Sequence, residues 1–462
     1  MPTLPDSSEL LPVLWFTFGQ AFVSAGLAVV LGFLGALGLQ WVGVRLGPRS
    51  SRTAEVMSLL PNVAPVLVFI LAMFRFAPSL KGFAGVVVAH ALLNVGLVSV
   101  ALTRAIQDKL SGMADLAWIE GAGRIRFLRR VAIPLLRGEI LALFLFVFAI
   151  CFASFAVPMM IGGTRGTTIE TLIWQKIRLG GDWSSAIGLS ILQFAFLMAL
   201  AFLLGREPAT PIAGARSGQR ILSWAGGVPF LLAPTVFILL TLLENPFAGL
   251  SQLGAGSAHS FSELVADKLV ASFFVSFLSG SLIVGLLMTI AYLDPRGVTR
   301  RLLLGAVAPS AVITGFAILF LWRETGTATL IKISIGLALV ATPAFYRLRW
   351  DGVLSSLRGQ RSIAETLGAS RSLIFRKIVW PQTIGAACFV AGLASLWAWG
   401  DFALSRVVAE GDVTLALIVQ SLMESYRLEL ALTLVWILIL GSAVTFFIFE
   451  GAGRVLGSKS QT

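Results

Sequence analysis

Ten stretches of the chain, each 19 to 35 residues long, contain no Asp, Glu, Lys or Arg and are dominated by apolar side chains. They are 10–44, 56–74, 82–103, 140–164, 183–205, 221–243, 269–293, 302–322, 378–400 and 430–449. An eleventh, 325–346, is interrupted only by Lys332, close enough to its start for the long side chain to snorkel to an interface. A helix that crosses a bilayer needs about 20 apolar residues, because each residue advances about 1.5 Å through roughly 30 Å of hydrocarbon. The runs predict an all-α, polytopic membrane protein with about eleven transmembrane helices. The first run has room for one helix with an interfacial lead-in, or for two short helices. Charged residues make up 13% of the chain and hydrophobic ones 57%, about half the charge of an ordinary soluble domain. That excludes a soluble enzyme, a secreted disulfide scaffold and a disordered chain.

The net charge of +12, from 35 Lys and Arg against 23 Asp and Glu, takes its meaning from its distribution. With eleven spans, the loops after every odd-numbered span, together with the C-terminus, carry 25 of the 35 basic residues. Basic residues accumulate on the cytoplasmic side of a membrane, so the N-terminus is expected outside and the C-terminus in the cytoplasm of a cell (inner) membrane protein. The lipid bilayer is then the partner of the charge, and no nucleic acid is expected. The first residues lack a basic region followed by a short apolar core and a small-residue cleavage site, so no removable signal peptide is expected. Cys151 and Cys388 each fall within an apolar run, and His90 and His259 are isolated. No metal site and no catalytic cluster is expected, and the chain is not read as an enzyme.

The chain repeats itself. Residues 117–134 (AWIEGAGRIRFLRRVAIP) and 364–381 (AETLGASRSLIFRKIVWP) share six of eighteen positions at a fixed offset of 247, where random pairing gives about one or two. The shared pairs are Ala117/Ala364, Gly121/Gly368, Ala122/Ala369, Arg124/Arg371, Arg129/Arg376 and Pro134/Pro381. The same offset pairs Ser154-Phe155-Ala156 with Asp401-Phe402-Ala403, and slightly different offsets pair Leu172-Ile173 with Leu417-Ile418 and Pro65 with Pro309. The chain is therefore two copies of one membrane unit: residues 1–205 with five spans and a loop at 105–138, and residues 221–462 with six spans and a loop at 347–382. Residues 206–220, rich in Pro, Gly and Arg, read as a cytoplasmic linker. Both loops fall on the basic side, and each holds seven Lys and Arg once Arg104, just ahead of the first, is counted with it.

In the second loop Ile363, Leu367, Ile374 and Ile378 form an apolar stripe at helical spacing around Gly368, and Pro381 marks the return to the membrane. Leu116, Ile119, Leu128, Val131 and Pro134 do the same around Gly121. Two short helices bent at a glycine make a small knob that fits a groove in a partner. The alternative is an amphipathic helix held on the bilayer surface by Arg124, Arg126, Arg129 and Arg130. Two copies at matching positions favour a partner with two matching grooves.

A Gly with Ala four positions before it, Pro thirteen positions after it and a basic pair ahead of the Pro resembles the cytoplasmic loop of binding-protein-dependent ABC importer permeases. That family pattern opens on Glu-Ala-Ala; the corresponding positions here are Asp115-Leu116-Ala117 and Ser362-Ile363-Ala364. Asp115 is a mild departure, whereas Ser362 leaves the second loop without its leading carboxylate. The resemblance implies a type I permease with both halves fused, forming the path for a small solute. Asp115, Ala117, Gly121, Ala122, Arg124, Arg129 and Pro134, with Ala364, Gly368, Ala369, Arg371, Phe375, Arg376 and Pro381, would then belong to loops that couple to two copies of a cytoplasmic ABC ATPase. One substrate-binding protein would deliver solute on the outer face. The sequence contains no GxxxxGK[ST] phosphate loop, so ATP is expected on the partner subunits and no cofactor in this chain. Within the family, fused permeases of this build resemble those for thiamine and ferric iron, and residues 154–175 look more like the thiamine type; polyamines and phosphonates are further candidates.

Candidates for the translocation path are Asp401, just after Trp399-Gly400 at the end of the run at 378–400, its counterpart Ser154, and the aromatic Phe155, Trp399 and Phe402. Asp401 reads either as a gate residue or as a solvated loop carboxylate, and the aromatics either line a path or pack. The alternative function is a secondary transporter driven by an ion gradient. It would need intramembrane carboxylates or broken helices near the midplane, and the runs carry almost none.

Overall fold

The computed structural model describes residues 4–163, 166–204, 220–252, 255–294, 297–305, 310–322 and 328–459. Every regular element among them is helical. The first copy contributes α1 (Ser7–Arg45), α2 (Gly47–Val63), α3 (Val66–Phe76), α4 (Gly82–Ile119), α5 (Arg124–Phe127), α6 (Ile133–Phe152), α7 (Ala156–Ile161), α8 (Ile169–Arg178) and α9 (Trp183–Leu204). After it come α10 (Val228–Leu242), α11 (Ala255–Leu293), α12 (Gly297–Gly305), α13 (Ala311–Leu321), α14 (Ala328–Phe345), α15 (Asp351–Ser356) and α16 (Arg358–Thr366). The chain closes with α17 (Arg371–Ile374), α18 (Trp380–Gly400), α19 (Ala403–Val408), α20 (Leu415–Glu424) and α21 (Leu428–Lys459). The linker expected at 206–220 lies outside the described residues except for Arg220.

Among the described residues nine helices are long and apolar enough to cross a membrane, or ten if one bent pair is a single span. The all-α, polytopic fold expected from the runs is what the structure shows, and the two runs not formed by a single long helix are the same segment of each copy. The run at 56–74 is divided between α2 and α3, which meet at an angle of 89°. Pro65 is the cause: a proline crowds the residue before it out of the helical region, and Ala64 is extended, with ψ 148°. Of the matching run at 302–322, residues 306–309 lie outside the described residues, and the described part falls on the end of α12 and on α13. Like α3, α13 has 11 residues, about 16 Å of helix, half of what a full crossing needs. Its Ser310 side chain caps it by accepting the Ile313 N–H at 2.9 Å. The long run at 10–44 is one helix, α1. Lys332 does not snorkel to an exposed position: its side chain is 2% exposed, with the ammonium 5.4 Å from the centre of the Trp322 ring.

The helices form two compact units, and these cut across the repeated sequences. One unit holds α1–α7 together with α10, which leads the second copy in sequence. There α10 and the turn before it lie against α1. A Cβ on Gly38 would sit 2.5 Å from the Gly227 carbonyl carbon, so only glycine permits this approach. Trp224 N–H bonds the Leu37 carbonyl at 3.1 Å, the Thr235 hydroxyl donates to the Met57 carbonyl at 2.6 Å, and Arg75 pairs with Glu244 at 3.0 Å. The core of this unit is also tied by polar groups: Gln20 on α1 donates to the Cys151 carbonyl on α6 at 2.9 Å and meets His90 Nδ1 on α4 at 2.9 Å.

The other unit holds α8, α9 and α11–α21. Here α8 and α9, the last helices of the first copy, are fastened to elements of the second. Arg178 on α8 donates twice to the Val407 carbonyl, at 2.9 and 2.6 Å, and Trp183 at the start of α9 packs against Phe316 on α13 with ring centres 5.6 Å apart. In the same unit α21 packs along α18, where the Trp399 indole donates to the Thr445 hydroxyl at 3.0 Å.

Candidate functional site

The two repeated loops are built on the same turn. Where α4 ends, Ala122 N–H bonds the Ala117 carbonyl at 2.9 Å and Gly121 N–H bonds the Trp118 carbonyl at 3.2 Å. Where α16 ends, Ala369 N–H bonds the Ala364 carbonyl at 3.0 Å and Gly368 N–H bonds the Glu365 carbonyl at 3.0 Å. This six-to-one and five-to-two pair of bonds is the Schellman helix end, which needs a left-handed residue just past the last turn. Gly121 and Gly368 occupy that position with φ 67° and 79°. The spacing of Ala, three residues, Gly and Ala is thus explained inside the chain. The two alanines close the ring from either end and are half-buried in both copies, and the glycine supplies the turn. No atom lies within 4 Å of where a Cβ would stand on either glycine, so the turn, not lack of room, selects Gly here.

The segment after the turn also repeats at the offset of 247. The one-turn helices α5 and α17 each run into a five-residue π turn, Leu128–Ala132 and Phe375–Val379. In each the bond spans five residues, Ile133 N–H to the Leu128 carbonyl and Trp380 N–H to the Phe375 carbonyl. Pro134 and Pro381 then stand in the first turn of α6 and α18. A proline has no N–H to offer the carbonyl four residues earlier, and a widened turn ahead of it accommodates the loss.

The approach to the turn differs between copies. In the first, α4 is one unbroken helix of 38 residues. In the second, α14 passes through a π turn, Tyr346–Trp350, into α15 and α16. There Arg300 grips Asp351 with two bonds of 2.7 and 2.9 Å, and the Tyr346 hydroxyl donates to the same carboxylate at 3.2 Å. Burial pulls the Asp351 carboxyl upward, but the Arg300 bonds and charge outweigh it, and its pKa lies below the usual range. Arg361 on α16 is buried; it pairs with Asp294 at 2.8 Å and donates to the Ala291 carbonyl at 2.9 Å.

The matched arginines Arg124 and Arg371 act as braces. Arg124 donates to the Ile221 carbonyl at 3.1 Å. Arg371 donates to the Leu293 carbonyl at the end of α11 at 2.6 Å, where the helix dipole favours a cation, and stands 5.7 Å over the Tyr292 ring. Phe375 packs between Tyr292 and Trp380, ring centres 5.4 and 6.1 Å away. Asp115, Ser362, Arg129 and Arg376 are exposed, as is Pro134, while Pro381 is half-buried. Around the glycines the loops present large apolar side chains to the outside: Ile119 is 78% exposed and Leu367 82%, with Leu116, Trp118 and Ile363 at half or more. Each such side chain forgoes about 1.5–3 kcal/mol relative to burial, and clustered exposure of this kind marks an interaction surface, for a protein or for the membrane.

The path candidates have a different setting. Phe155, Trp399 and Phe402 are at most 2% exposed. Asp401 accepts the Leu404 and Ser405 N–H groups at 3.4 and 3.1 Å and the Ser405 hydroxyl at 3.1 Å, which makes it the cap of α19. Ser154, its half-buried counterpart, precedes α7 at the same position. Two buried ionisable residues are not legible from the sequence. One is Lys332. The other is Glu170 on α8, fully buried, to which the Gln193 side chain donates, with the Ser310 hydroxyl and Val312 N–H facing it from the first turn of α13. Glu170 lies between two charge-free runs, where nothing in the sequence separates a buried carboxylate from a solvated one.

No protein-family model matches the chain, and no solved structure matches it. Several curated proteins do. The chain is 24% identical over 96% of its length, and 89% of the relative's, to the thiamine transport system permease protein ThiP of Escherichia coli. It is 27% identical over 76% of its length, and 68% of the relative's, to that of Brucella suis. With the protein of the same name from Haemophilus influenzae the identity is 28%, over 41% of this chain and 38% of the relative. A repeated scaffold, and a likeness to thiamine transport permeases that runs through both copies, support an ABC transporter permease near the thiamine group.

Proposed function

We propose that this chain is the fused permease of an importer that carries thiamine or a related cationic solute, with ferric iron the runner-up cargo. A substrate-binding protein delivers the solute on the outer face, and two cytoplasmic ATPase subunits power its passage. The observation that carries this reading is the recurrence, at one offset, of the same Schellman turn, π turn and proline with apolar side chains exposed around them. One partner geometry used twice explains that recurrence; a lone surface helix does not. Twenty-five of 35 basic residues on one side support a cytoplasmic C-terminus and loops that face the ATPases. ATP binds those subunits, whose change in affinity between open and closed states is what rocks the two halves. The thiamine assignment rests on the near full-length likeness to permeases of that name.

The test is uptake by proteoliposomes that contain this chain, its ATPase and its binding protein. The reading expects ATP-dependent accumulation of labelled thiamine that excess unlabelled thiamine suppresses and ferric iron does not. Uptake driven by an ion gradient without ATP would overturn the class, and ATP-driven uptake of iron alone would overturn the substrate.

A further inference from the structure

Within the unit that holds α1, α2, α4 and α10, a cleft of about 540 Å³ opens where α1 ends and α2 begins. Arg49, Arg52 and Arg220 line it, with Ser51 and Gln107 as neutral donors and Glu55 as the single carboxylate. Three guanidinium groups from two separate parts of the chain therefore converge on one concavity with one opposing charge. Among the described residues none of the three forms an ion pair, whereas Arg75 in the same unit does. Elsewhere in the chain Arg300, Arg361 and Arg406 are matched to carboxylates at 2.7, 2.8 and 3.2 Å. An unmatched arginine trio in a cleft is not a requirement of this fold.

We propose that this cleft binds a phosphate group. Arginine is suited to it because the planar fork donates two parallel bonds to phosphate oxygens and keeps its charge at every physiological pH. The same chemistry reaches the cleft from two sources. One is the headgroup of an anionic lipid, for which Leu39 and Val44 supply an apolar wall; Leu46 and Val56, close to the lining residues along the chain, are 59% and 65% exposed. The other is a soluble phosphoester. Neither depends on the transport reading, since only the cleft residues enter the argument.

The experiment uses the purified full chain. Native mass spectrometry after exposure to vesicles of equal parts phosphatidylglycerol and phosphatidylcholine reports which lipid is retained, and calorimetric titration with inorganic phosphate reports the soluble source. The comparison is R49Q/R52Q with R220Q against the control R137Q/R301Q, which removes exposed arginines elsewhere. Loss of charged hydrogen bonds of this kind weakens binding about tenfold or more. Selective retention of phosphatidylglycerol that falls about tenfold in the cleft variants and not in the control assigns the site to a headgroup. Saturable phosphate binding with the same pattern assigns it to a soluble ligand. Absence of both, or equal losses in cleft and control variants, overturns the proposal. All these arginines are exposed, and a monodisperse gel-filtration profile checks that each variant is folded.

Discussion

Replacing the loop glycines in a graded series separates two reasons for their presence. Gly121 and Gly368 sit at φ 67° and 79° with open space where a Cβ would be. An L-residue in that conformation costs about 1–2 kcal/mol. Asparagine tolerates it better than alanine, and a β-branched residue tolerates it worst. Because the turn is exposed, a strained variant relaxes in the free chain and must be rebuilt on docking, so the cost falls on association. At about 1.4 kcal/mol per decade, the expected weakening of ATPase binding is a few-fold for Asn, about tenfold for Ala and more for Val at each loop. Replacing both glycines with bulky residues should abolish transport while leaving the chain inserted. The assay is titration of the ATPase subunit against the reconstituted chain, with substrate-stimulated ATP hydrolysis as a second readout. If the partner's groove simply has no room, severity tracks size, and Ala is milder than Asn. That order refutes the turn argument, and wild-type binding by the Val variants refutes the assignment of these loops to coupling.

Three further outcomes rest on particular contacts. Ser362→Glu, which restores the leading carboxylate of the second loop, should tighten ATPase association more than Asp115→Glu; equal effects in pull-down titrations would remove the asymmetry between loops. Arg361→Gln removes the Arg361 cation from the mostly buried Asp294, a loss on the order of 3 kcal/mol, read as a lowered midpoint of unfolding in detergent that Arg361→Lys partly restores. Asp401→Ala should cost about 1 kcal/mol as a lost cap and Asp401→Asn less; a transport defect in the Asn variant at unchanged stability would show instead that the charge itself serves the path.

The loops are the most legible part of the sequence because their geometry is local. The Ala and Gly-Ala spacing is the Schellman ring itself, and it lies within six residues of chain. The spans are legible where an apolar run is one helix, as in α1 and α4. They are not where Pro65 turns a run through 89°, since a charge-free run records composition and not continuity. Arg124, Arg371 and Phe375 read as docking residues from the family resemblance, yet their partners, Ile221, Leu293 and Tyr292, lie about 80 to 100 positions away. The packing of α10 with α1–α4, and of α8 and α9 with the second copy, depends on tertiary contacts such as Gly38 with Gly227, which no periodicity encodes. Lys332 shows the same limit: its place near the start of a run suggests an interface, and the Trp322 ring holds it inside.

If one chain presents two coupling loops to two ATPases, native mass spectrometry of the complex purified through a tag on this chain should count them. The expected species is one permease chain with two ATPase subunits, with one subunit lost when either loop glycine is replaced by valine and both lost when both are. A chain that purifies without an ATPase, or a complex whose stoichiometry is unmoved by the double replacement, would contradict it.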